Sequence, residues 1–243
     1  MERVLLVVSS CRQMSHAAAY NPDASTTTKG GETGAWMEEL AASYYSFVDA
    51  GCNVRIGSPL GGEGPIDPLS LEDPWLTPRG RRFQSDPVAM GKLRETMALG
   101  AVHASEFDAL YLVGGAAAAW DFASDVHLAQ LVQDLLAANR PVAGVCHGVL
   151  GLTGAHDIQG RPIVSGRAVT GVSNAEEVLT GFDKLVPVLP EARLKVLGAL
   201  YSCSAPFQEH VVSDGNVFTG QNPASAAPLA LAVIASLRNC KRG

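Results

Sequence analysis

The chain has 243 residues, 47% of them hydrophobic and 17% charged, enough for a sizeable core and unlike a disordered or low-complexity protein. Its formal net charge of −6 argues against a general affinity for nucleic acid or for an anionic membrane surface. Five cysteines, at 11, 52, 146, 203 and 240, include no CxxC pair and suggest neither a disulfide framework nor a zinc knuckle. The start, Met1 to Val8, lacks the apolar core of a secretion signal, and no apolar run reaches the roughly 18 residues of a membrane span. A cytoplasmic protein with reduced thiols is expected.

In chain order, the apolar run Val4 to Val8 predicts a buried first strand. Ser9 to Thr33 is polar and too long for a plain connector. From Thr33 a helix is expected to about Ala50, with Trp36, Leu40 and Tyr44 on one face. Gly51 stops it, and Asn53 to Ile56 gives a second strand. Ser58 to Pro68 is turn chemistry, and Leu69 to Phe83 is read as an irregular surface excursion. Asp86-Pro87 is an N-cap followed by proline at the first helical position, opening a helix to about Leu99. Asp108 to Val113 is a third strand ending at Gly114-Gly115, and Asp125 to Asn139 a helix. Later come a strand over Arg167 to Val172, helices over Asn174 to Leu179 and Pro190 to Leu200, and a hairpin turning at Asp214-Gly-Asn between Val211-Val212 and Val217-Phe218. An alanine-rich helix closes the chain from Pro223 to Arg238. This alternation predicts an α/β fold with a mainly parallel sheet and right-handed crossovers, in one domain over 1–243. Sites in such sheets lie beyond the carboxyl ends of the strands, so Ser9, Gly114 and Cys146 are expected to converge.

One stretch organises the chain: Arg140-Pro-Val-Ala-Gly-Val-Cys-His-Gly-Val-Leu-Gly-Leu152. Val142 to Val145 reads as a buried strand that turns at Cys146, between Gly144 and Gly148, into an apolar helix. That is the layout of a nucleophile elbow. A cysteine there is expected to lean toward the thiolate, favoured by the helix N-terminus. His16, His103, His127, His156 and His210 lack ligand spacing, so no metal is expected. No phosphate loop or dinucleotide fingerprint is present, so no cofactor is expected.

Six ordered segments resemble the ThiJ/PfpI family of the class I glutamine-amidotransferase-like superfamily. They are Thr33-Gly-Ala-Trp-Met-Glu-Glu-Leu, Ser58-Pro-x-Gly-Gly-x-x-Pro-Ile-Asp-Pro, Gly114-Gly115 with Trp120-Asp121, Ala143-Gly-Val-Cys-His-Gly148, Val169 to Glu177, and Thr219-Gly-Gln-Asn-Pro-Ala-Ser225. Within that family the chain is most similar to the short heat-shock chaperone-like group that includes glutathione-independent glyoxalases. The resemblance implies a flavodoxin-like α/β/α sandwich and a homodimer. It makes Cys146 the nucleophile, Glu39 the acid–base partner of the thiol, and His147 the neighbouring histidine with Glu177 as its orienting carboxylate. Glu176 competes for that last role, and Glu38 is read as a solvated helix charge. Gly114, Gly115, Ala116 and Trp120 would surround the substrate, with the oxyanion held by the Gly115 and His147 N–H groups. Asn222-Pro-Ala-Ser is given a structural role, capping the last helix and supporting the site from behind. Where relatives with glyoxalase activity carry a histidine, this chain has Ala116, which makes the pocket more apolar.

The expected function is therefore a cofactor-independent enzyme acting on a small reactive carbonyl compound through a hemithioacetal on Cys146. That mechanism needs a lowered thiol pKa. A different hydratase, hydrolase or lyase reaction at the same Cys–Glu pair is the first alternative. A stress-response chaperone or cysteine redox sensor is the second.

Overall fold

The computed structural model describes residues 1–14 and 31–240. Residues 15–30, the greater part of the polar segment Ser9 to Thr33 and including His16, lie outside them. The chain runs β1 (Arg3–Val7), α1 (Met37–Asp49), β2 (Asn53–Ser58), α2 (Pro78–Ser85), α3 (Pro87–Arg94), β3 (Met97–Ala98), β4 (Ala109–Leu112), α4 (Ala118–Asp121), α5 (Val126–Ala137) and β5 (Val142–Val145). It continues through β6 (Ala168–Val169), α6 (Asn174–Thr180), α7 (Pro190–Val196), β7 (Leu200–Tyr201), β8 (Val211–Asp214), β9 (Val217–Gly220) and α8 (Ala226–Cys240).

Seven strands form one sheet in the order β3-β2-β1-β4-β5-β9-β8, parallel throughout except where β8 returns antiparallel to β9. Strands buried on both faces need apolar residues at every position, which is why β1, β4 and β5 read as continuous runs. In β1, Val4 and Leu6 belong to the core on one face, and Leu5 and Val7 to the core on the other. On the first face α1 and α8 pack together over the sheet, with Phe47 set edge-on to Tyr111 at 5.7 Å. On the second, α5 contributes Leu128, Leu131, Val132 and Leu135. The result is the flavodoxin-like sandwich expected.

Several boundaries differ from the expected ones, each for a local reason. Pro78–Ser85 is a helix, not an irregular excursion: Thr77 accepts from Gly80 N–H at 3.1 Å and Pro78 fills the first helical position. Asp86 does cap α3, accepting from Val88 and Ala89 N–H at 2.9 and 3.1 Å, but the helix ends at Arg94. Met97 and Ala98 instead pair with Gly57 and Ser58 at the sheet edge. Trp36 precedes α1 as its N-cap. Of Arg167 to Val172 only Ala168–Val169 is strand, and it pairs with Leu200–Tyr201, so Leu200 belongs to a strand and not to the end of the preceding helix. That helix stops at Val196, and Gly198 takes up a positive φ of 82° before the new strand.

A cavity lined from both halves of the chain

Cys146 sits where β5 ends, with φ of +55°, a conformation that non-glycine residues adopt only when their surroundings impose it. The seven residues that follow, Cys146–Leu152, form a 3₁₀ helix instead of an α-helix. Glu39 reaches the thiol from the first turn of α1 and is fully buried. Its approach depends on Gly114, where a Cβ would run into the Glu39 carboxylate and lie 2.6 Å from the Val145 carbonyl. Gly115 next to it has φ of +107°, and a side chain there would strike the Gly34 carbonyl.

Burial pushes the Glu39 carboxyl up to about 7, although the Cys146 thiol, the His147 charge and the Gly114 N–H all act to lower it. Neither Glu39 oxygen has a hydrogen bond of ordinary geometry. The expectation of a thiolate is corrected here. Burial first, then the charges of Glu39 and Glu177, hold the Cys146 thiol well above its ordinary value. Desolvation and two nearby carboxylates outweigh whatever the short 3₁₀ helix offers.

His147 bridges the thiol to a second carboxylate. Its Nδ1 lies 3.4 Å from Cys146 Sγ and its Nε2 2.7 Å from Glu177 Oε1. Burial works against charging the imidazole, but Glu177, Glu39 and Asp67 prevail and keep its pKa raised. Glu176, the rival for this contact, faces elsewhere. It accepts from the Ser173 N–H and hydroxyl, the Phe207 N–H, and the Gln221 and Asn222 side-chain amides at 2.8–3.0 Å. Asn222 thus braces a wall of the cavity, and Ser225 N–H bonds the Asn222 carbonyl at 2.9 Å at the head of the last helix.

These groups line a cavity of about 630 Å³. Cys146, Glu39, His147, Glu177, Gly115 and Ala116 border it. Gly114 packs against Glu39 and Cys146, and its carbonyl accepts from Trp36 N–H at 3.1 Å. Trp120 is placed differently: it packs against the second core and is not among the lining residues. Ser9 does not join the site either, because its hydroxyl donates to Asp121 at 2.8 Å. Glu38 is not a solvated charge; it bonds the Thr77 hydroxyl and pairs with Arg79 at 3.3 Å. Trp75, within the Leu69 to Phe83 segment read as a surface excursion, stands edge-on to Trp36 at 5.8 Å and borders the cavity.

Sequence reasoning missed Asp67, which is buried, pushed up to about 6 by that burial, and bonded to the Thr33 hydroxyl at 3.2 Å. It lies within the quoted Pro-Ile-Asp-Pro segment, which was the available signal. Phe207 was also missed; nothing in the sequence around it marks a cavity wall. Among the described residues no group of three or more His, Cys, Asp or Glu side chains is arranged to hold a metal ion. No helix among them is long and apolar enough to cross a membrane.

The model of the DJ-1/PfpI family matches residues 37–236. A Schizosaccharomyces pombe protein named glutathione-independent glyoxalase hsp3101 is 29% identical, over 96% of this chain and 94% of its own length. The crystal structure of the Francisella tularensis Rapid Encystment Protein 24 KDa superposes with a TM-score of 0.88 at 34% identity, covering 98% of this chain and 99% of that one. The structure of glyoxalase III from Candida albicans superposes with a TM-score of 0.84 at 21% identity, over 97% of each chain, and shares the fold.

Proposed function

Because the chain belongs to the DJ-1/PfpI family, we propose that it is a cofactor-independent cysteine enzyme that converts a 2-oxoaldehyde to a 2-hydroxy acid without glutathione. The observation that carries the reading is the meeting of Cys146, Glu39 and His147 at the floor of one cavity. The relative named as a glutathione-independent glyoxalase supports it. The chain is taken as one domain over 1–243, working as a cytoplasmic homodimer; the dimer rests on the resemblance, and the location on the cysteine pattern.

The chemistry follows from the protonation states. With the thiol neutral at rest, the ionised Glu39 carboxylate takes its proton as sulfur attacks the aldehyde carbon, so thiolate and protonated acid form together. The C–S bond forms, and the aldehyde oxygen gathers charge beside the Gly115 and His147 N–H groups before it is protonated to a hemithioacetal. A carboxyl poised near 7 suits the next step. It removes the proton from the former aldehyde carbon and returns it to the adjacent carbonyl carbon, while the hydroxyl proton passes from the former aldehyde oxygen to the former ketone oxygen, leaving a 2-hydroxy thioester. Water then cleaves the C–S bond, oxygen goes to the acyl carbon, and the proton returns to sulfur. No electron leaves or enters overall. His147, paired with Glu177, positions the sulfur and stabilises charge on it.

The test is lactate formation from methylglyoxal in the absence of glutathione. Wild type should turn over, and Cys146→Ala should lose turnover while keeping its circular dichroism spectrum. An inactive wild type, or an active Cys146→Ala, refutes the assignment.

A further inference from the structure

Resting on that reading for its reaction but not for its binding, we infer that the cavity selects substrates carrying a bulky, neutral, apolar substituent, with Phe207 as a specificity-determining residue. Methylglyoxal, with five heavy atoms, fills a small part of about 630 Å³. The space beyond the thiol is walled by Trp36, Leu69, Trp75, Val172 and Phe182 as well as Phe207. A methyl group would leave these surfaces in contact with water; an aryl or long alkyl group would cover them.

Charge narrows the class further. The ionisable lining side chains are Cys146, His147 and three carboxylates, Glu39, Glu176 and Glu177, and no lysine or arginine borders the cavity among the described residues. A phosphate or carboxylate on the substituent would meet these carboxylates and find no lysine or arginine to pair with, since the His147 imidazole is already engaged by Glu177.

Phe207 is held where it is at a cost in backbone conformation. Its φ is +63°, unfavourable for an aromatic residue. The turn is pinned on both sides, by Phe207 N–H donating to Glu176 at 2.8 Å and by Asn222 donating to the Gln208 carbonyl at 2.7 Å. Over-determined strain of this kind marks a placed side chain. Phe207 is 45% exposed, and Val178 and Leu179, also bordering the cavity, are 63% and 64% exposed. Large apolar surface left open at a cavity mouth is what an apolar ligand would cover.

The experiment has two arms. In the first, unreactive neutral amides are bound to Cys146→Ala protein and followed by tryptophan fluorescence, since Trp36 and Trp75 border the cavity. Mandelamide should bind at least ~10-fold more tightly than lactamide, and mandelate at least ~10-fold more weakly than mandelamide. In the second, kcat/KM for phenylglyoxal should exceed that for methylglyoxal by roughly 10–100-fold. Phe207→Ala should shrink both aryl-to-methyl ratios several-fold, and Phe207→Leu should restore part of them. Equal affinities for lactamide and mandelamide overturn the inference, as does a Phe207→Ala protein with unchanged ratios. If neither oxoaldehyde is turned over but the amide ranking holds, the glyoxalase reading falls and the selectivity stands.

Discussion

Replacing Glu39 with glutamine should strengthen the fold at alkaline pH while it stops the chemistry. Glu39 is fully buried, and its folded value of about 7 stands above the ordinary 4.5. The folded state therefore holds the Glu39 proton more tightly than the unfolded chain does. The stability linked to that proton is complete below about pH 4.5, fades as pH rises, and is gone above about 7. At about 1.36 kcal/mol per pH unit, the gap between 4.5 and about 7 is worth about 3 kcal/mol. Glutamine matches the neutral acid in shape and never ionises. Glu39→Gln should therefore be about 3 kcal/mol more stable than wild type in urea titrations at pH 8, with little difference near pH 4.5. In the same protein kcat/KM should fall by roughly 10²–10⁴-fold, because the group that accepts the thiol proton is gone. A stability difference that does not change with pH would falsify the reasoning. So would a variant less stable than wild type at pH 8.

Glu177→Gln removes the charge that most raises His147, so the His147 pKa followed by NMR should fall; an unchanged value would show that the 2.7 Å contact does not govern it. Gly115→Ala forces a side chain into a φ of +107° and against the Gly34 carbonyl, and should cost roughly 2 kcal/mol or more in urea unfolding. A neutral result there would mean that the loop relaxes freely.

Much of the sheet could be read from residues alone because parallel strands are buried on both faces. Val4 to Val8 and Val142 to Val145 are apolar at every position and admit few other readings. The hairpin at Asp214-Gly-Asn was legible for a different reason: its turn chemistry and its flanking apolar pairs agree. The helix over Pro78–Ser85 escaped notice although Thr77-Pro78 carries the same start signal as Asp86-Pro87. It is eight residues long and buries Gly80 and Phe83, so it has almost no apolar stripe to count. Gly114 and Cys146 were expected to meet because each follows the carboxyl end of a parallel strand, whereas Glu39 was placed with them by the family resemblance alone. The state of the thiol was misjudged because a helix-end argument sees only the backbone, whereas desolvation and the facing carboxylates depend on the folded surroundings. Phe207 could not be found by any local rule. Its position is imposed by Glu176 and Asn222, which hold the turn from outside it.

The bonding of Glu176 also sets an order in time. That one carboxylate ties together residues 173, 207, 221 and 222, all in the last third of the chain. During vectorial synthesis the thiol and Glu39 leave the ribosome long before Gln221 and Asn222 do. The wall that would enclose a substrate therefore forms only when the final helix begins to emerge. A chain that stops short of residue 221 lacks two of the donors that hold that wall.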